Sequence, residues 1–157
     1  MKNIGIGFYE PREEEFHTSI WSLIELVEPQ KYQWRIVDGE VYIRDENDPL
    51  DGEFLFEKAF VDGYELGDIV KDRGCYVIFL NMRAFPKKLD KNELLARITT
   101  VPEFINSSCE FMINIVDTYD ISILTKDPEL LEQLFRHVTD LGYEKVTYIT
   151  DKREGLI

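Results

Sequence analysis

The spacing of hydrophobic and polar residues predicts a succession of strands and helices along the chain. Loose alternation over 3–9 is typical of a strand. From Arg12 to Pro29 the apolar residues recur at helical spacing, which predicts a long amphipathic helix. The last helix carries its own start and stop signals, because Asp127 is a favoured N-cap residue and Gly142 a favoured left-handed stop.

The segment YQWRIVDGEVYIRDE (32–46) consists of two alternating runs joined by Asp38-Gly39. This dipeptide is preferred in two-residue type I′ turns, so the segment predicts a β-hairpin. In that hairpin Ile36 faces Val41 and Trp34 faces Ile43, all on the buried side. We expect Arg35 and Tyr42 to project to the opposite, solvated side.

A continuous apolar run predicts the central strand. The segment CYVIFLNMRAFP (75–86) begins with unbroken apolar residues, as in a strand buried on both faces. Asn81 and Arg83 follow at alternate positions and therefore project to one side. CEFMINIVD (109–117) and YDISILTK (119–126) form either a tight hairpin or one long bent strand. The remaining predicted elements are a strand at 53–57, a helix at 62–72, a helical turn at 101–107 and a strand at 144–149.

These elements predict one α+β domain over 1–150, followed by a polar tail at 151–157. The neighbouring hairpins imply a mixed, mostly antiparallel sheet of about six to eight strands. The two long amphipathic helices are expected to pack on one face of this sheet.

Charge narrows the classes of partner. Thirty-one acidic residues against eighteen basic ones give a formal net charge of −13. Such a field repels phosphate backbones, so we expect no nucleic-acid ligand, and it attracts a basic protein. No apolar run approaches the roughly 20 residues of a membrane helix, and the N-terminus does not resemble a secretory signal. With only two cysteines, expected to be buried thiols, a cytoplasmic location is predicted.

Motifs for cofactors and catalysis are incomplete. Gly5 and Gly7 lack the third glycine of a dinucleotide fingerprint, and the acidic loop 45–53 lacks the ligand spacing of a calcium loop. The two histidines have no zinc-ligand spacing, and no nucleophile elbow occurs. We therefore predict no metal or cofactor, and the residues favour a protein that is not an enzyme.

The candidate binding residues lie near the ends of central strands. Asn81 and Asn114 stand on predicted neighbouring strands, where they either hydrogen-bond to each other or line a shallow polar groove. In the groove alternative Arg83 holds an anionic group and Asp117 acts as a base. Asp117 is explained equally by a turn between two strands.

Several segments resemble a known family, namely CYVIFLNMRAFP, VPEFINSSCEFMINIVDTYDISILTKD, LGYEKVTYITD and YQWRIVDGEVYI. The resemblance covers about 130 residues. It is to a family of small, acidic, uncharacterised proteins of Gram-positive bacteria, known as a domain of unknown function. It implies no activity and no functional residues.

Two functional hypotheses follow. The first is a non-enzymatic acidic module that docks a basic protein, by analogy with the immunity proteins that neutralise secreted nuclease toxins. Its candidate contacts are the acidic loop around Asp48 and Asp51 and the hairpin face of Arg35 and Tyr42. The alternative is a small-molecule-binding domain or small enzyme, whose site comprises Asn81, Arg83, Asn114 and Asp117.

Overall fold

The computed structural model describes residues 1–44, 53–71 and 74–157. The predicted contacts Asp48 and Asp51 lie outside these residues. None of the helices within the described ranges combines the length and the apolarity that crossing a bilayer requires.

Seven strands of the described residues form one antiparallel sheet in the order β3-β2-β4-β5-β6-β1-β7. This confirms the α+β class and the predicted number of strands. The strands are β1 (Asn3–Tyr9), β2 (Tyr32–Ile43), β3 (Phe60–Asp62), β4 (Cys75–Pro86), β5 (Phe111–Val116), β6 (Asp120–Thr125) and β7 (Glu144–Thr150).

The helices in the described part of the chain are α1 (Ile20–Ile24), α2 (Gly63–Val70), α3 (Lys91–Leu94), α4 (Val101–Asn106) and α5 (Pro128–Asp140). The predicted long first helix is wrong, because α1 spans only five residues and two 3-10 turns follow it, Glu25–Val27 and Pro29–Lys31. Its start is set by Ser19, whose side chain accepts a hydrogen bond from the Ser22 amide. Glu28 then adopts a left-handed conformation (φ 56°), which no helix can continue.

Hydrophobic clusters lie on both faces of the sheet. The helical face packs against α1, α2 and α5, with residues such as Leu23, Leu66 and Leu134 fully buried. The opposite face, which we call the polar face, carries a smaller cluster under α3 and α4. The helices therefore cover both faces rather than one. Cys75 belongs to the first cluster and Cys109 to the second, so the two buried thiols are not neighbours.

Asp38-Gly39 forms a β-bulge, so the predicted hairpin is wrong. Strand β2 runs through the dipeptide and pairs with β4 along its length, with register shifts on either side of Glu40. Asp38 has a φ of 51°, which suits a bulge as well as a turn. Because the bulge adds one residue, Ile36 and Val41 still share the helical face, and Arg35 and Tyr42 lie on the other face as expected.

The segments on either side of Asp117 form a hairpin, which resolves the alternative left open by the sequence. Strands β5 and β6 pair from Phe111↔Thr125 to Val116↔Asp120. Asp117 and Thr118 have φ values of 53° and 67° in the connecting turn. The turn accounts for the aspartate, because its short polar side chain tolerates left-handed backbone.

Candidate functional site

The predicted residues Asn81, Arg83 and Asn114 form one hydrogen-bonded network on the polar face. Strand register places Asn81 directly opposite Asn114. The Asn81 Nδ2 donates to Asn114 Oδ1 at 3.3 Å, and Arg83 Nε donates to Asn81 Oδ1 at 2.8 Å. The two asparagines therefore satisfy each other, which is the structural alternative that their positions allowed.

Arg83 also binds the connection between α3 and α4. Its Nη1 donates to the Ala96 carbonyl at 3.0 Å and its Nη2 to the Ile98 carbonyl at 3.1 Å. Arg35, opposite Arg83 in register, donates from Nη1 to the Leu94 carbonyl at 3.2 Å. The last carbonyls of a helix have no partner within it, so the two arginines satisfy the end of α3 and the residues after it.

The electrostatics of Arg83 argue against its predicted role as an anion anchor. The residue is 6% exposed, and its three nitrogens donate to protein oxygens. Burial, followed by the neighbouring charge of Arg35, lowers the pKa of Arg83. The guanidinium nevertheless stays charged at neutral pH. An anionic ligand would have to displace contacts that already compensate this charge.

The other predicted residues do not join this network. Asp117 is exposed in the β5–β6 turn. Tyr42 stacks on Phe54, with ring centroids 5.0 Å apart, and its hydroxyl donates to Glu40. Arg35 and Tyr42 thus share a face of β2 but have separate contacts.

A row of polar residues that the sequence analysis missed continues across the polar face. Register places Ser122 opposite Asn114, Gly7 opposite Ser122, and Thr147 opposite Gly7. Beside this row lies a cavity of about 300 Å³, the polar-face cavity, lined mainly by Gly7, Tyr9, Asp120, Ser122, Thr147 and Arg153. In the sequence the only signal is that each of these strands carries one small or polar residue. These residues form a row only after the strand order is known.

A second concavity, the acidic groove, lies beside the start of α5. Its volume is about 230 Å³, and its charged lining consists of Glu28, Lys31, Glu110, Asp127 and Glu129. Lys31 pairs with Glu28. Tyr32 also lines the groove, and its pKa is raised, first by burial and then by the carboxylate of Glu110. Sequence reasoning missed this groove because its acids come from separate segments.

A third group of polar side chains meets where β1, β2 and β4 share one end of the sheet. The Thr18 hydroxyl donates to Glu10 Oε2 at 2.5 Å, and Arg44 contacts His17. Burial raises the pKa of the Glu10 carboxyl and of the Cys75 thiol. A thiol with a raised pKa is a poor nucleophile. In the described ranges no three residues of the types His, Cys, Asp and Glu form a group that could hold a metal ion.

Comparisons with known proteins agree with the resemblance seen in the sequence. Residues 3–155 match the model of a family described as "Protein of unknown function (DUF2691)". The chain is 28% identical over 152 residues to "Uncharacterized protein YncE" of Bacillus subtilis (strain 168), covering 97% of the chain and 95% of that relative. No solved structure matches the chain.

Proposed function

Because the chain belongs to the DUF2691 family, whose description names no activity, we propose a function from its geometry: a non-enzymatic acidic module that docks a basic protein. The acidic groove is the observation that carries this proposal. Four carboxylates and one ammonium group line it, so its charge has the same sign as the net charge of −13. Because the groove and the whole protein are both negatively charged, the protein attracts a basic partner and the groove binds it.

The groove suits a lysine or arginine side chain of the partner. Glu110 and Glu129 make no side-chain hydrogen bond or ion pair with another described residue, so both carboxylates are available. Asp127 is already engaged, because its Oδ1 accepts from the Glu129 and Leu130 amides as the cap of α5. The ring of Tyr32 adds a surface over which a cation is attracted.

Asp48 and Asp51 remain proposed contacts of the same partner. Arg35 and Tyr42 receive less support, because the first is hydrogen-bonded to Leu94 and the second stacks on Phe54. The proposal also places the protein in the cytoplasm. The two buried, unpaired thiols of the described residues support this location, since they suit a reducing compartment.

The test is a low-salt pull-down from native lysate with two double variants of equal charge. Glu110→Gln with Glu129→Gln neutralises the groove and leaves the Asp127 cap intact. Glu13→Gln with Glu14→Gln removes the same charge from an exposed segment elsewhere. We expect the groove variant to lose a captured basic protein, while the control retains it with an affinity reduced only slightly.

Three results would count against the proposal. They are capture of nothing, capture of acidic proteins only, and equal loss of the basic partner in both double variants. The last result would assign binding to the overall charge rather than to the groove.

The alternative of a small-molecule site or small enzyme at Asn81, Arg83, Asn114 and Asp117 gains no support from their contacts. The first three satisfy one another or the backbone, and Asp117 lies apart in a turn.

A further inference from the structure

We propose that the polar-face cavity binds a small zwitterion, a free α-amino acid, with its carboxylate on Arg153 and its ammonium group on Asp120. This site shares no lining residue with the acidic groove. The proposal therefore goes beyond protein docking and can fail independently of it.

The cavity exists because one strand position lacks a side chain. Gly7 lies between Ser122 of β6 and Thr147 of β7 in register. A Cβ built on Gly7 would meet nothing closer than Ile149 Cδ1 at 3.9 Å and the Ile121 carbonyl at 4.0 Å. The space above this glycine is thus open, and about 300 Å³ admits a small metabolite.

Ser122 points to a polar occupant. It is only 8% exposed, lines the cavity, and its hydroxyl makes no hydrogen bond with any other described residue. Among the described residues Arg44 Nε is the one fully buried side-chain nitrogen or oxygen without a hydrogen-bond partner, so the Ser122 hydroxyl is open to the cavity. It is available to a ligand that donates or accepts hydrogen bonds.

The charges of the cavity define which ligand fits. Arg153 uses one of its N–H groups, donating from Nη2 to the Leu156 carbonyl at 3.3 Å, and so retains donors for a carboxylate. Asp120 makes no ion pair with any described residue, Arg153 included. A simple anion would be repelled by Asp120, and a simple cation by Arg153. A molecule that carries both charges and is small enough for the cavity satisfies the two residues together.

The experiment titrates the full chain with each common free L-amino acid and follows backbone amide shifts by NMR. We expect at least one amino acid to shift the amides of Gly7, Ser122 and Thr147 saturably. Its N-acetyl derivative lacks the ammonium charge and its amide lacks the carboxylate. Each is expected to bind about tenfold more weakly or worse, because one charge-assisted contact is lost.

Variants separate the site from general charge effects. Arg153→Gln and Asp120→Asn should each weaken binding about tenfold or more, whereas Arg136→Gln and Asp140→Asn, on exposed positions of α5, should change it less than about twofold. Thermal unfolding of each variant checks that it is folded.

The proposal is overturned if no amino acid shifts the three cavity amides. It is also overturned if either singly charged derivative binds as well as the parent, or if binding survives both cavity substitutions. Shifts confined to Tyr32 and Glu110 would place the ligand in the acidic groove instead and would likewise refute it.

Discussion

Replacing Arg83 with methionine removes the charged group that holds the α3–α4 connection against the sheet. Methionine preserves most of the apolar stem but none of the donors. The substitution leaves three acceptors without their partner, which are the side-chain oxygen of Asn81 and the carbonyls of Ala96 and Ile98.

The expected loss of stability follows from these contacts. Hydrogen bonds that involve a charged group contribute roughly 1.5–3 kcal/mol each. Part of this sum is offset, because methionine does not incur the cost of burying a charge beside Arg35. We expect a net decrease of about 3 kcal/mol in the free energy of unfolding. For a chain of this length the melting temperature should fall by roughly 6–12 °C.

Urea unfolding followed by tryptophan fluorescence, to which the buried Trp34 contributes, measures the free energy of unfolding, and hydrogen exchange of residues 94–100 locates the effect. Arg97→Met is the matched control. Its side chain is 81% exposed in the same connection, and its one ion pair with a described residue, Glu103, has an N–O distance of 4.0 Å. We expect this control to stay within about 0.5 kcal/mol of the parent.

The reasoning would be refuted if Arg83→Met unfolded at the same urea concentration as the parent and residues 94–100 kept their protection. A loss of stability without faster exchange in this segment would also contradict it, because the predicted damage is local. The stability of Arg83→Lys should lie between those of the parent and Arg83→Met, since an ammonium group keeps the charge but not the planar arrangement of donors.

Three other experiments test separate features of the structure. Gly5→Ala should cost about 2 kcal/mol in urea unfolding, because its methyl would clash with the Ile123 carbonyl, whereas Gly7→Ala should be nearly neutral. Burial raises the pKa of the Glu10 carboxyl, so ionisation of this group destabilises the fold as the pH rises. The Glu10→Gln variant should therefore be more stable than the parent at about pH 7, and this difference should disappear at about pH 3. Burial raises the pKa of Cys109 to about 12, so a thiol reagent at about pH 8 should modify it only after unfolding. Equal effects of the two glycine substitutions, a pH-independent effect at Glu10, or rapid modification of folded protein at Cys109 would each contradict the corresponding reasoning.

Elements with strong local signals were predictable from the sequence. Helix α5 begins after Asp127, whose side chain accepts the two expected amides, and Gly142 adopts the left-handed φ of 100° after it. For Asn81 and Asn114 the sequence left open either a mutual hydrogen bond or a polar groove, and the strand register decides for the hydrogen bond. At the ends of α5 the nearest residues in sequence decide the conformation.

Other parts of the site were not predictable, because their partners are distant in sequence. Two of the three acceptors of Arg83 are backbone carbonyls, which every residue possesses and no side-chain pattern marks. The cavity around Ser122 requires β1 to lie between β6 and β7, an order that no local signal specifies.

The sequence by itself determined the α+β class, the last helix, the buried strands and the negative charge, because these depend on composition and local spacing. The tertiary structure decided that Asp38-Gly39 is a bulge, since β4 supplies a partner along the whole of β2. The tertiary structure also decided which groups Arg83 contacts and which concavities Arg153 and Glu110 line. Local preferences amount to about 1 kcal/mol per residue, and the many contacts of a long strand pair outweigh them.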